Sequence, residues 1–314
     1  MACLALGGCA TYDRMAPAPV QAQPIAIHFS DDTLGLNDLP LGAYRVPNSE
    51  VIVSGHQKAG VGAAFGLIGA LVSDAIDTHR GANVVDASAA MLTLKLDNEA
   101  RADIEAQLAD ESLKQKFTLA KAAGVHLEIV PAVILTFVDD TRARPYVELK
   151  VSLQDAGNRS LWDTRYFAST GVERPLQGPA SWGEQDGAAF KASISASLAQ
   201  AVKVMLHDVA APYARDEKQR RVAQTRVPYM KQRLQLVGVS LVEDDQYVAF
   251  VPKIGDVMVM SGVNVLDKSV IVYRPATEDD HFMFLPDAAP PSTPAASAAT
   301  TPVAAAPASA PVLK

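Results

Sequence analysis

Cysteine is nearly absent from this chain of 314 residues: there are two, Cys3 and Cys9, both within the first nine positions. No disulfide can form inside the body, and a chain of this length does not need one, because it can bury a sizeable core. Aromatic residues are also scarce, at 6%, so the apolar content leans on Ala and Val. There is no long basic run, and the formal net charge is -7. Such a chain has no surface on which to neutralise a row of phosphates, which argues against nucleic acid as a partner. Long apolar runs are missing too. The uncharged stretch from Ala59 to Val72, AGVGAAFGLIGALV, would be ~21 Å long as a helix, short of the roughly 30 Å of bilayer hydrocarbon.

What that stretch does contain is a four-residue spacing of small side chains, Gly62, Gly66 and Ala70. On a helix these line one face and let a second helix approach closely. Two readings follow, a buried core helix with a glycine face, and a helix that contacts membrane or a second copy of the chain.

The N-terminus carries the clearest address. The opening MACLALGGCATY contains Leu6-Gly7-Gly8-Cys9, which resembles the lipobox of bacterial lipoproteins. The resemblance implies that small residues enter a signal-peptidase cleft and that the Cys9 thiol takes up a diacylglyceryl group before cleavage. It also implies a mature chain that begins at Cys9 with two or three acyl chains, enough to hold it on a bilayer. Ala10 stands where enterobacterial lipoproteins retained at the inner membrane carry Asp, so the implied destination is the periplasmic side of the outer membrane. No Lys or Arg precedes Cys9, whereas a signal peptide opens with a basic region and an apolar stretch. The expectation is therefore a translation start upstream of Met1, with residues 1–9 the end of a truncated signal peptide. The opposing reading is a cytoplasmic protein with a chance LGGC. Against it stands the segment 10–24, in which Ala16 to Pro24, APAPVQAQP, has the composition of a flexible tether.

In the body, periodicity predicts an α+β fold, an antiparallel-rich sheet covered by helices on one face, with a small C-terminal β module and disordered termini. Residues 25–90 read as short β segments, including Val51-Ile52-Val53, followed by the glycine-rich helix. The main domain spans 91–213. It opens with a strand near Met91 to Leu96 and helical stretches between Asn98 and Ala123, closed at Gly124. Val125, Leu127, Ile129, Val133, Leu135 and Phe137 then alternate as one apolar strand face, with Pro131 signalling an edge or a bulge. Val147, Leu149, Val151 and Leu153 alternate against Glu148, Lys150, Ser152 and Gln154, so the polar row reads as solvated. Asp155 to Asn158 supply a turn before Leu161 to Ala168 returns. Ser181 with Glu184 reads as a capping box for a helix whose stripe is Phe190, Ile194, Leu198, Val202, Met205 and Val209. A charged connector (214–231), a β module (232–285) with a turn at Glu243 to Gln246, and an Ala/Pro tail (286–314) complete the chain.

The segment QDAGNRSLWDTRYF resembles the domain-with-Trp hairpin of envelope lipoproteins related to the curli-secretion lipoprotein and the penicillin-binding-protein activators. The likeness covers roughly residues 91–213, brings no site residue with it, and leaves Trp162 as a packing residue.

Candidate sites are few. Gly60-Val61-Gly62 with Gly66 lacks the third-position glycine of a dinucleotide loop, since Phe65 stands there. Asp74, Asp77, His79 and Arg80 form the densest polar cluster, read as a helix end with an Asp77 to Arg80 pair. His126 and Glu128 share a strand face, and two ligands do not make a metal site. No G-x-S-x-G is present, and no catalytic residue, metal or cofactor is assigned. The function expected is a non-enzymatic envelope scaffold or accessory subunit, with the membrane as partner through its lipid and a protein or second copy as the other. The alternatives are a hydrolase using Asp74, Asp77 and His79, and a lipid or small-molecule carrier.

Overall fold

The computed structural model describes residues 16–30, 33–35, 38–40, 43–46, 48–54, 93–120, 124–216, 219–253 and 261–286. Their architecture is mixed α+β: one large, mostly antiparallel sheet of 14 strands and, among the described residues, three α-helices. The centre of the sheet is the meander β5 (His126–Phe137), β6 (Arg142–Gln154) and β7 (Ser160–Ser169). It forms because side chains alternate between the two faces, so that pairing gathers the odd-numbered apolar ones of β5 and β6 on one side, while Ile134, Tyr146 and Phe167 fall on the other. Leu127, Leu153 and Trp162 fall in register across the three strands, as do Val133, Val147 and Ala168.

Short N-terminal strands extend the sheet beyond β5. β1 (Ile25–Phe29) runs parallel to residues 126–129, and β3 (Val51–Ser54) runs parallel to residues 133–136. β2 (Tyr44–Arg45) pairs with β3, and β4 (Phe117–Thr118) with β1. β8 (Arg174–Pro175) pairs with β6. Pro131, expected at an edge or bulge, instead sits inside a strand paired continuously with β6. The reason is the gap between β1 and β3. The Val133 N–H donates to Glu50 O on that side, so the missing N–H of Pro131, two residues earlier, faces the same side where neither short strand reaches.

The helices are α1 (Leu96–Gln107), α2 (Glu111–Lys114) and α3 (Glu184–Ala210). The strand expected near Met91 to Leu96 is not formed over its described residues. Leu96 opens α1 instead, because the Glu50 Oε2 carboxylate accepts its N–H at 2.9 Å and Asp97 and Glu99 in the first turn suit the helix dipole. The helical stretch expected to run on to Ala123 breaks at Asp110, which caps α2, and gives way to β4. The capping box at α3 is also corrected. Its N-cap is Gly183 with no side-chain bond, Glu184 reaches back to the Ala180 N–H at 2.7 Å, and Gln185, Asp186 and Gly187 take left-handed φ of 51°, 58° and 73° before the regular helix starts. The stripe itself is as the spacing requires. Phe190, Ile194, Leu198, Val202, Met205 and Val209 are all buried, each contributing about 1.5–3 kcal/mol relative to exposure.

The C-terminal strands are β9 (Arg220–Thr225), β10 (Leu234–Glu243), β11 (Tyr247–Pro252), β12 (Val263–Asp267), β13 (Val272–Pro275) and β14 (Met283–Phe284). Residues expected as a small β module thus join the same sheet, through β12 lying parallel to β7, and β9 falls within the segment read as a connector. Gly262 makes that junction possible: at φ +149° it lies where a Cβ would stand 2.3 Å from Arg165 O.

Two hydrophobic clusters result. One gathers α1, α3 and the odd-numbered side chains of β5 and β6 with Trp162. The other packs Ile134, Tyr146 and Phe167 against Leu34, Ile52, Val227, Tyr229, Leu236 and Phe250. Ala16 and Ala18, within the segment read as a tether, are seated on the body. Ala16 O accepts the Trp162 indole N–H at 2.9 Å and Ala18 lies in the first cluster.

Candidate functional site

The polar row of β6 and its neighbours on β7 do not face water throughout. Glu148 and Arg165, on adjacent strands and the same face, are 0% and 1% exposed as side chains and pair at 2.7 Å. Their surroundings extend the pair into a chain of charges. Arg165 Nη2 meets Asp38 Oδ1 at 3.0 Å, and Arg165 Nη1 also donates to Asp38 O. Asp38 in turn holds Lys150 Nζ at 2.9 Å, while the Tyr229 hydroxyl donates to Glu148 Oε2 at 2.7 Å. Two cations and two carboxylates alternate, so the assembly carries no net charge and each buried ion has a partner, the condition under which burial of charge is tolerated.

Position is set by the fold. Lys150 and Arg165 stand directly opposite each other across β6 and β7, a repulsive arrangement that the acids beside them relieve. Tyr229 is fastened at three points: its N–H to Thr136 Oγ1 at 3.0 Å, its carbonyl to the Ser54 hydroxyl at 3.3 Å, and its own hydroxyl to Glu148. These bonds hold a φ of 69° that a bulky residue adopts only under constraint. Burial pushes the Glu148 carboxyl upward against the pull of Arg165 and the Tyr229 hydroxyl. Burial, with Glu148 next to it, pushes the Tyr229 hydroxyl well above its ordinary value. At Asp38 burial acts upward, yet the Lys150 ammonium, the Gly35 N–H and Arg165 together outweigh it and the carboxyl is lowered.

Lys150 also lines the rim of a trough of about 330 Å³ on the same sheet face, with Glu128, Val130, Ser152, Gln154, Ser160 and Asp163. Here the polar row does read as expected, half-exposed over the three strands. His126 and Glu128 share the face, as their spacing requires. The His126 ring stacks on His28 with centroids 4.8 Å apart, and Glu128 accepts from the Gln154 amide. The trough offers carboxylates, an ammonium, hydroxyls and an amide, and one apolar side chain, so it suits a small polar molecule.

Two further ionic groups pin the structure. Glu173 receives Arg144 at 2.7 Å, Arg226 at 3.2 Å and Arg142 at 3.7 Å. Asp208, buried in α3, accepts from the Tyr166 hydroxyl of β7 and from Arg215, both at 2.9 Å, tying helix to sheet. Burial and the nearby Asp208 carboxylate drive the Tyr166 hydroxyl well above its ordinary value.

The lipobox residues Leu6, Gly7, Gly8 and Cys9, the packing face Gly62, Gly66 and Ala70, and the cluster Asp74, Asp77, His79 and Arg80 lie outside the described residues. Among the described residues no group of three or more His, Cys, Asp and Glu is placed to hold a metal ion, and no helix is long and apolar enough to cross a membrane. Comparison with family models, curated proteins and solved structures gives no match to this chain. The internal charge network was not foreseen from sequence. Its one local signal is the density of charge on neighbouring strands, Glu148 and Lys150 on β6 and Asp163 and Arg165 on β7.

Proposed function

We propose that this chain is an exported protein held on the periplasmic side of a bacterial outer membrane by lipid on Cys9, acting as a scaffold or accessory subunit without chemistry of its own. The observation that carries the reading is Leu6-Gly7-Gly8-Cys9 followed by a body free of any thiol, which suits an oxidising compartment. The fold reading that goes with it places the helices on one face of the sheet. The partners are the membrane, through the lipid, and an envelope protein or a second copy of the chain, with Gly62, Gly66 and Ala70 as the helix-packing face. The buried charges of Glu148 and Arg165 support a structural role, since each is spent on an internal counterpart rather than presented to a ligand. The test is fractionation of cells that express the chain from its own locus, with and without Cys9→Ser. The wild type is expected in the membrane fraction and the variant in the soluble envelope fraction. An unchanged distribution overturns the reading.

A second reading, a small-molecule carrier, is favoured by the trough at Glu128, Lys150 and Asp163. Its lining selects a polar small molecule over a lipid tail. Small polar molecules released on denaturing the purified body, and retained less by Lys150→Ala, would support it.

A further inference from the structure

Resting on the lipid-anchor reading, we propose that the body stands on the bilayer by one particular end of its sheet. That end carries Trp162 and the β6–β7 turn. The opposite end, with the β10–β11 turn, faces away from the membrane.

Leash length set against body length decides which end rests on the bilayer. The chain is clamped to the body at Ala16, whose carbonyl accepts the Trp162 indole N–H at 2.9 Å, and again at Ala18, which is 4% exposed. From there it crosses to β1, so that Ile25 pairs with Phe117 and Ala26 with His126, at the same end as Trp162, which is in register with Leu153 and Leu127. Only six residues separate Ala16 from Cys9, and fully extended the seven steps reach at most about 25 Å. β6 has 13 residues, so the sheet is roughly 40 Å long from end to end. A lipid on Cys9 cannot reach round the body to let the far end rest on the membrane. The far end is defined by β12 lying parallel to β7, with Leu266 beside Ser169, and by Tyr247 opposite Asp267. These pairings place the turn at Asp244 and Asp245 there. Asp244 is held there by Lys203 of α3 at 3.7 Å.

The test uses the full chain with Cys3→Ser, coupled through Cys9 to a maleimide-bearing lipid in phosphatidylcholine vesicles that contain a headgroup quencher. A fluorophore is carried on a non-cysteine unnatural residue at Ala156, in the β6–β7 turn, or at Asp245. Quenching at position 156 is expected to exceed that at 245 by at least about twofold, given the separation along the strands. A flexible linker of about twenty residues inserted after Arg14 is expected to abolish the difference. Equal quenching without the linker, or stronger quenching at 245, overturns the proposal. Because the coupling is chemical, this outcome does not depend on whether cells acylate Cys9. That question is read separately by the Cys9→Ser fractionation.

Discussion

Replacing Arg165 with Met tests the buried charge network most sharply. The side chain is 1% exposed and serves two carboxylates, Glu148 at 2.7 Å and Asp38 at 3.0 Å. Asp38 keeps Lys150 and the Gly35 N–H, so its loss is modest. Glu148 keeps only the Tyr229 hydroxyl and becomes an uncompensated buried charge, for which the expected cost is about 3–5 kcal/mol. The double variant Arg165→Met with Glu148→Leu removes both charges and should recover most of that loss, giving a strongly favourable coupling in a double-mutant cycle. The single variant also acquires a pH dependence of fixed sign. Burial already raises the Glu148 carboxyl, and removing the guanidinium raises it further. A carboxyl raised in the folded state binds its proton more tightly there than in the unfolded chain, so its stabilising contribution is full below the ordinary glutamate range and is lost as pH rises through the folded value. Arg165→Met should therefore be closest to wild type near pH 4 and fall furthest behind at neutral pH. Urea unfolding at both pH values measures this. A loss below about 1 kcal/mol, or a double variant as unstable as the single one, would refute the network's role.

Three other changes follow from the same geometry. Tyr166→Phe removes the hydroxyl donated to Asp208 while Arg215 remains, so a loss of about 1–2 kcal/mol is expected in urea unfolding. Gly262→Ala forces a Cβ to within 2.3 Å of Arg165 O at a φ of +149°, and a loss of at least about 2 kcal/mol, seen as a lower melting temperature, is expected. At Asp139 burial acts upward, but the N–H groups of Arg142 and Thr141 and the Arg142 side chain lower its pKa from 3.8 to about 2. Its contribution is thus present above the unfolded value and lost as pH falls from 3.8 towards 2, so Asp139→Asn should flatten that part of a melting-temperature profile against pH.

The apolar halves of β5, β6 and α3 were legible in the sequence because a single face buried in one core leaves a clean period of two or 3.6. The opposite face was not. Glu148 alternates with apolar neighbours as a solvated residue would, and the groups that bury it come from far along the chain. Tyr229 is 81 residues away, and Arg165 meets Asp38 across 127. The same limit hid the parallel pairings of β1 and β3 with β5 and of β12 with β7, since a strand's pattern states which face is buried but not which edge it joins. Leu96 was read as the end of a strand for a related reason: its helix is started by the carboxylate of Glu50, from a different segment. Near the trough, sequence showed the shared face of His126 and Glu128, but not the ring contact of His126 with His28 or the place of Glu128 in one lining with Ser160 and Asp163.

The claim on which the functional account turns is the chemistry of the ninth residue. Intact mass analysis of the protein purified from its native membranes, with the N-terminal fragment sequenced, measures it directly. The expected result is a chain that begins at Cys9 and carries the added mass of diacylglyceryl and acyl groups. A free thiol at Cys9, preceded by an uncleaved leader in a soluble protein, would contradict it.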